Sequence, residues 1–114
     1  MELMTQELRQ QFPKLGTTDH QPMRERVVYA KFFDPSGSWT WYVFEFDGKD
    51  EFFGLVDGFE KELGSFSLRE MQSVKGPYGL GIERDLYFGQ PKVGDIKRLA
   101  EWLKDWEDAE KRYG

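Results

Sequence analysis

The chain reads as an α+β domain: an antiparallel β-meander of four to five strands, a long C-terminal helix packed on one face, and short helices at the edges. Three observations predict it. Segments rich in β-branched and aromatic residues follow one another between residues 27 and 66, separated by turn chemistry such as Asp34-Pro35-Ser36-Gly37, Asp47-Gly48 and Asp57-Gly58. Ile96, Leu99, Leu103 and Trp106 recur at helical spacing, and Ala100 widens the stripe. Trp39 to Phe46 carries large aromatics on both faces, whereas a strand of a half-exposed antiparallel sheet shows one polar face.

In chain order, Thr5 is placed to cap a short helix over residues 6–11, with Leu8 and Phe12 inward and Pro13 ending it. Residues 16–26 are polar, contain Pro22 and the only histidine, His20, and read as a loop. Val27 to Phe33 is the first strand and Trp39 to Phe46 the second. Glu51 to Val56 is the third, and Glu60 to Phe66 the fourth. Alternation puts Trp39, Trp41 and Val43 on one face of the second strand and Tyr42, Phe44 and Phe46 on the other. Ser67 caps a short helix through Ser73, with Glu70 completing a capping box. Lys75 to Gly81 holds three glycines and a proline and must be a shaped loop. Ile82 to Phe88 is a short fifth strand. Asp95 then caps a helix to about Arg112. The whole of residues 1–114 is taken as one domain, with its meander core at about 27–66.

Composition narrows the chemistry. Apolar residues make up 39% and charged residues 32%, the profile of a folded globular chain. There is no cysteine, so a disulfide scaffold, a thiolate zinc site and a cysteine nucleophile are excluded. The N-terminal stretch has no charged region followed by an apolar one, and no segment approaches membrane-spanning length. The chain is therefore expected to be cytoplasmic, without a membrane role. Net charge is -5, and it is unevenly spread. Residues 34–62 hold Asp34, Glu45, Asp47, Asp50, Glu51, Asp57, Glu60 and Glu62 against only Lys49 and Lys61. Such a face opposes direct nucleic-acid binding, which needs clustered Lys and Arg, and suits a basic protein partner. A plain solvated acidic surface is the alternative.

Candidate sites are few, and each has an ordinary structural counterpart. Trp39, Trp41 or Tyr42 offers an aromatic surface for a partner or a base, unless the sheet is packed on both sides. The loop of Lys75, Gly76, Pro77, Tyr78, Gly79 and Gly81 offers backbone N–H groups to an anion, yet it matches neither a Walker nor a Gly-x-Gly-x-x-Gly pattern. On a strand, Glu83 and Asp85 share one face with Arg84 on the other, an acid–base pair in form that lacks a neighbouring histidine. Asp47, Asp50 and Glu51 crowd one turn without calcium-loop spacing. No metal and no cofactor is expected.

The strings Tyr29-Ala30-Lys31-Phe32-Phe33, Gly37-Ser38-Trp39-Thr40-Trp41-Tyr42-Val43, Phe52-Phe53-Gly54-Leu55-Val56 and Gly79-Leu80-Gly81-Ile82-Glu83-Arg84-Asp85-Leu86, with Met1-Glu2-Leu3-Met4-Thr5 before them, resemble a bacterial family catalogued as domain of unknown function 2958. The resemblance covers about residues 1–90. It assigns no catalytic residues. It implies a mobile-element setting of plasmids, phages and integrative elements, where small acidic proteins often inhibit restriction or CRISPR machinery. The expectation is a non-enzymatic module, monomer or homodimer, that modulates a host nucleic-acid-handling or defence protein. Its contact residues are Glu45, Asp47, Asp50, Glu51, Asp57 and Glu60 with Trp39 and Trp41. The alternatives are a small enzyme or ligand-binding domain at residues 75–85, and single-strand binding on the aromatic hairpin.

Overall fold

The computed structural model describes residues 2–114, so Met1, the first residue of the resemblance, lies outside the described residues. Strands β1 (Ala30–Phe33), β2 (Thr40–Phe46), β3 (Glu51–Asp57), β4 (Lys61–Ser67) and β5 (Glu83–Arg84) form one antiparallel sheet. Their order is β4-β3-β2-β1-β5. The first four follow one another as hairpins, and β5 returns to pair beside β1. Helices α1 (Gln6–Arg9), α2 (Leu68–Ser73) and α3 (Ala100–Tyr113) complete the α+β architecture.

The local signals act as their chemistry dictates. Thr5 Oγ1 accepts the Leu8 N–H at 3.1 Å, and Ser67 Oγ accepts the Glu70 N–H at 3.2 Å, so each hydroxyl caps its helix. Asp47 Oδ1 accepts the N–H groups of Lys49, Asp50 and Glu51 at 2.7, 2.7 and 3.0 Å, which holds the β2–β3 turn.

Both sheet faces are covered, which is why β2 has no polar face. Leu3, Met4, Leu8 and Phe12 from the N-terminal segment, Leu68 and Met71 from α2, and Ile82 pack one face against Phe32, Val43, Phe46 and Phe52. Met23, Val93, Leu99 and Leu103 pack the other face against Val28, Tyr42, Phe44 and Leu55, with Trp102 and Trp106 at its margin.

One expectation of alternation fails inside β2. Val43 pairs with Gly54 and Glu45 with Phe53, so Phe44 is a bulge residue with no partner of its own. The extra residue reverses the parity beyond it. Phe46 therefore joins Val43 on the α2 face instead of Tyr42 and Phe44, and Glu45, paired with Phe53, turns to the α3 face. Gly54 makes this possible: a β-carbon there would lie 2.0 Å from the Tyr42 carbonyl oxygen.

Element boundaries also differ: the first helix ends at Arg9 rather than at residue 11, and three elements depart further. The first strand begins at Ala30. The Tyr29 N–H still donates to the Val43 carbonyl at 2.9 Å, but the chain before it bonds elsewhere: the Val28 N–H donates to the Pro91 carbonyl at 2.8 Å, and the Val93 N–H to the Arg26 carbonyl at 2.9 Å. The fifth strand is only Glu83–Arg84. The C-terminal helix starts at Ala100, not Asp95. Residues 93–99 form two 3₁₀ turns, and among the described residues no side chain caps α3. Pairing of Val27 with Lys92 and burial of Val93 and Leu99 hold that segment on the sheet, and short 3₁₀ turns follow it.

Candidate functional site

At one end of the sheet, the β1–β2 and β3–β4 turns bring three aromatic rings together. Trp39 enters β2 and its ring lies 6.1 Å from that of Trp41. Phe59, in the β3–β4 turn, meets Trp39 edge-to-face at 5.4 Å and is 95% exposed. The ring of Trp39 rests on the backbone of Gly58, where a β-carbon would come within 2.6 Å of it. Trp39 and Trp41 are half-buried. The tip is thus a braced aromatic pair with one phenyl ring projecting into solvent, and the carboxylates of Glu60 and Glu62 are exposed in the chain that follows. Composition pointed to Trp39 and Trp41. It missed Phe59, whose signal was its position directly after Asp57-Gly58 at a hairpin tip.

The acidic segment divides sharply. Glu45 is 2% exposed and does not belong to a contact surface. Its carboxylate accepts the N–H groups of Gly16 and Thr18, each at 2.8 Å, and the Thr18 hydroxyl. Arg26 Nη2 approaches it to 3.3 Å. Burial alone would raise its pKa, but these hydrogen bonds and the Arg26 charge outweigh burial and hold it below the usual carboxylate range. Arg26 is buried too, its guanidinium 4.4 Å from the Phe44 ring centre and 5.7 Å from that of Phe53. Burial lowers the Arg26 pKa against the pull of Glu45 and Asp19. Neither Thr18 nor Gly16 was flagged by sequence, since a loop residue that caps a buried carboxylate carries no motif.

Asp57, 5% exposed, is likewise internal. It accepts from Arg98 Nε at 3.0 Å and lies 3.9 Å from Lys61 Nζ. Both acids are corrections to the expected contact surface, because each must meet its partner once buried. Asp47 is engaged by its own turn. Asp50 accepts from the Ser67 hydroxyl at 2.7 Å and the Arg69 N–H at 2.8 Å, which ties the β2–β3 turn to the start of α2. The backbone donors, led by Lys49 N–H, lower the Asp47 pKa, and the Ser67 hydroxyl leads in lowering that of Asp50. Glu51 and Glu60 remain exposed and outside any ion pair among the described residues.

The loop at 75–81 is folded on itself. The Gly76 N–H donates to the Leu80 carbonyl at 2.7 Å, the Gly79 N–H to Gly76 at 3.1 Å, and the Leu80 N–H to Pro77 at 3.3 Å. Those three donors are already committed, so they do not form the expected anion cradle. Tyr78 sits at φ 62°, a left-handed conformation, with its ring 97% exposed, and Lys75 is exposed beside it. Gly81 packs near the Val74 carbonyl.

Glu83 and Asp85 do not converge on one site. Glu83 lines a cleft of about 350 Å³ with Lys75, Gly79 and Gly81, whereas Asp85 lines another of about 470 Å³ with Thr5, Gln11 and Gln90. Asp85 faces Lys31 Nζ at 3.8 Å and accepts the Tyr87 N–H at 3.0 Å. Arg84 donates to the Leu3 carbonyl at 2.9 Å. These are fold-holding bonds. His20 is exposed and lines an open cleft with Glu107, whose carboxylate is gripped by Arg24 at 2.7 and 2.9 Å. Among the described residues no group of three or more His, Asp or Glu gathers as a metal site. No helix among them is long and apolar enough to cross a membrane.

Comparison with curated proteins and with solved structures returns no match. A family model does match, over residues 3–111, nearly the whole chain: the protein belongs to the family described as protein of unknown function DUF2958.

Proposed function

We propose that the protein is a non-enzymatic binding module that engages a basic protein partner through the aromatic tip of Trp39, Trp41 and Phe59, with Glu60 and Glu62 as its acidic rim. The observation that carries this is Phe59. A phenyl ring held edge-to-face on a braced tryptophan and 95% exposed adds little to the fold, whereas aromatics of this kind anchor interfaces. The net charge of -5 supports a cationic partner. Proteins that hold nucleic acid present clustered Lys and Arg, so the finer reading is inhibition of a nucleic-acid-handling or defence protein in a mobile-element setting.

The test is affinity capture from a lysate of the source cells at low and high salt, with wild type, Phe59→Ser and the pair Glu60→Lys/Glu62→Lys. A basic protein held by wild type, released at high salt and lost with both variants is the expected result. Equal capture by all three forms at both salt concentrations would show the tip to be irrelevant.

A further inference from the structure

We propose that the outer edge of β4 is a docking rail for an extended, basic segment of the partner, which adds to the sheet as a sixth strand and seats a Lys or Arg side chain in a cleft beside Phe53. The proposal deepens the reading above and rests on it for the basic character of the partner.

The hydrogen-bond pattern defines the rail. At one end of the β3–β4 ladder the Gly58 N–H donates to the Glu60 carbonyl at 3.0 Å. At the other the Leu68 N–H donates to the Asp50 carbonyl at 2.8 Å. Antiparallel pairs alternate between bonded and non-bonded, so Glu62, Gly64 and Phe66 turn their backbone groups toward β3. Lys61, Leu63 and Ser65 turn theirs outward. β4 is the terminal strand of the sheet, and among the described residues no other element bonds to those outward groups. The opposite edge, β5, is only two residues long and offers no comparable row. The β4 edge contains no proline to block pairing, and it runs directly from the turn that holds Phe59.

The cleft defines the occupant. A residue added opposite Ser65 would project on the same face as Ser65 and Phe53. On that face lies a cleft of about 170 Å³ lined by Leu15, Phe53, Ser65, Asp19 and Glu51, together with the buried Glu45. Leu15 and Phe53 suit the aliphatic stem of a long side chain. Asp19 and Glu51 are exposed carboxylates outside any ion pair among the described residues, and they suit its charged head. Phe53 already faces one guanidinium, that of Arg26, at 5.7 Å. Strand addition supplies backbone hydrogen bonds for affinity, and such a pocket supplies side-chain selectivity.

The probe is a capped peptide of eight residues alternating Arg and Val, titrated into isotope-labelled full-length protein and followed by amide NMR shifts. Its counterpart carries Glu for Arg. The expected result is shifts centred on Lys61, Leu63 and Ser65 with the Arg peptide and none with the Glu peptide. Ser65→Pro removes an outward N–H together with the serine hydroxyl at the cleft margin, a change that an edge strand tolerates. It should weaken binding by about tenfold or more, and Glu51→Lys, at an exposed position, should do the same. The proposal is overturned if Ser65→Pro and Glu51→Lys bind as wild type does, or if the shifts fall on Trp39, Trp41 and Phe59 alone. In the second case the tip reading survives. It is also overturned if the free protein is a dimer that Ser65→Pro dissolves, because the rail then serves a second copy. Binding at β4 together with Phe59-independent capture would remove the tip reading alone.

Discussion

Glu45→Gln isolates the buried ion pair between the β2 bulge and the 16–26 loop. The substitution keeps the shape of the side chain and removes its charge. It leaves Arg26, whose Nε is already buried without a hydrogen-bond partner among the described residues, with the Thr18 hydroxyl at 2.9 Å and the Phe44 ring. It also turns a donor toward at least one of the Gly16 and Thr18 N–H groups that the carboxylate now accepts. Breaking a buried pair from one side costs about 3–5 kcal/mol. For 114 residues the unfolding entropy near the midpoint is about 0.24 kcal/mol/K, so even the lower value shifts Tm by about 12 °C. Thermal melts by circular dichroism and urea titrations of wild type, Glu45→Gln, Arg26→Met and the double variant measure it. The double variant should lose clearly less than the sum of the singles, because neither charge is then stranded. A loss below about 1 kcal/mol in Glu45→Gln, with strictly additive singles, would show that the pair is solvated in solution and that the loop is not held by it.

Three further outcomes follow from the same geometry. Gly54→Ala should destabilise by about 3 kcal/mol, since its β-carbon would meet the Tyr42 carbonyl and the bulge cannot relax without moving β2; a denaturant midpoint equal to wild type would contradict this. Ser67→Ala should cost about 1 kcal/mol, because the hydroxyl both caps α2 and donates to Asp50, and urea unfolding reads it directly. Glu45, Asp47 and Asp50 all have folded-state pKa values below their ordinary ones, so their contribution is present above the ordinary carboxylate range and disappears as pH falls through the folded values. Stability should therefore drop on acidification below about pH 4.5, with a flatter profile in Glu45→Gln, and a wild-type profile level down to pH 2 would refute the linkage.

What was legible in the sequence was the part encoded by neighbours in the chain. The Asp-Gly turns, the Thr5 and Ser67 caps and the four consecutive strands are short-range chemistry. What was not legible depended on pairing across the sheet. A bulge carries no residue type of its own, so alternation placed Phe46 on the wrong face. The one trace of it was Gly54, a glycine in the middle of the partner strand. The start of α3 was misplaced for the same reason. Asp95 looks like a cap, yet residues 93–99 answer to Arg26 and Val27, far away in sequence. At the candidate site, counting acids between residues 34 and 62 treated charge as surface. In a strand where both faces are covered, a lone carboxylate such as Glu45 is better read as a buried group that some loop must satisfy.

That correction changes what a partner would meet. Glu45 and Asp57 are withdrawn into ion pairs, and Asp47 and Asp50 spend hydrogen-bonding capacity on the β2–β3 turn and α2. Among the described residues, the exposed carboxylates of the segment that lie along the β4 side outside any ion pair are Glu51, Glu60 and Glu62, and Asp19 from the loop lines the same cleft as Glu51. The aromatic tip leads into that strand through Phe59 and Glu60. Charge, exposed ring and open backbone therefore converge on one margin of the sheet, although the eight acids of residues 34–62 suggested a broad acidic face. A narrow margin has a different electrostatic signature from a broad face. Association with the proposed basic partner should still slow with salt, but charge reversal at Glu51, Glu60 and Glu62 should remove most of that dependence. Reversal at Glu45 or Asp57 should instead cost folding. Measuring association rates and melting temperatures across those five positions separates the two roles, and a salt dependence spread evenly over all five would mean that the buried acids face the partner after all.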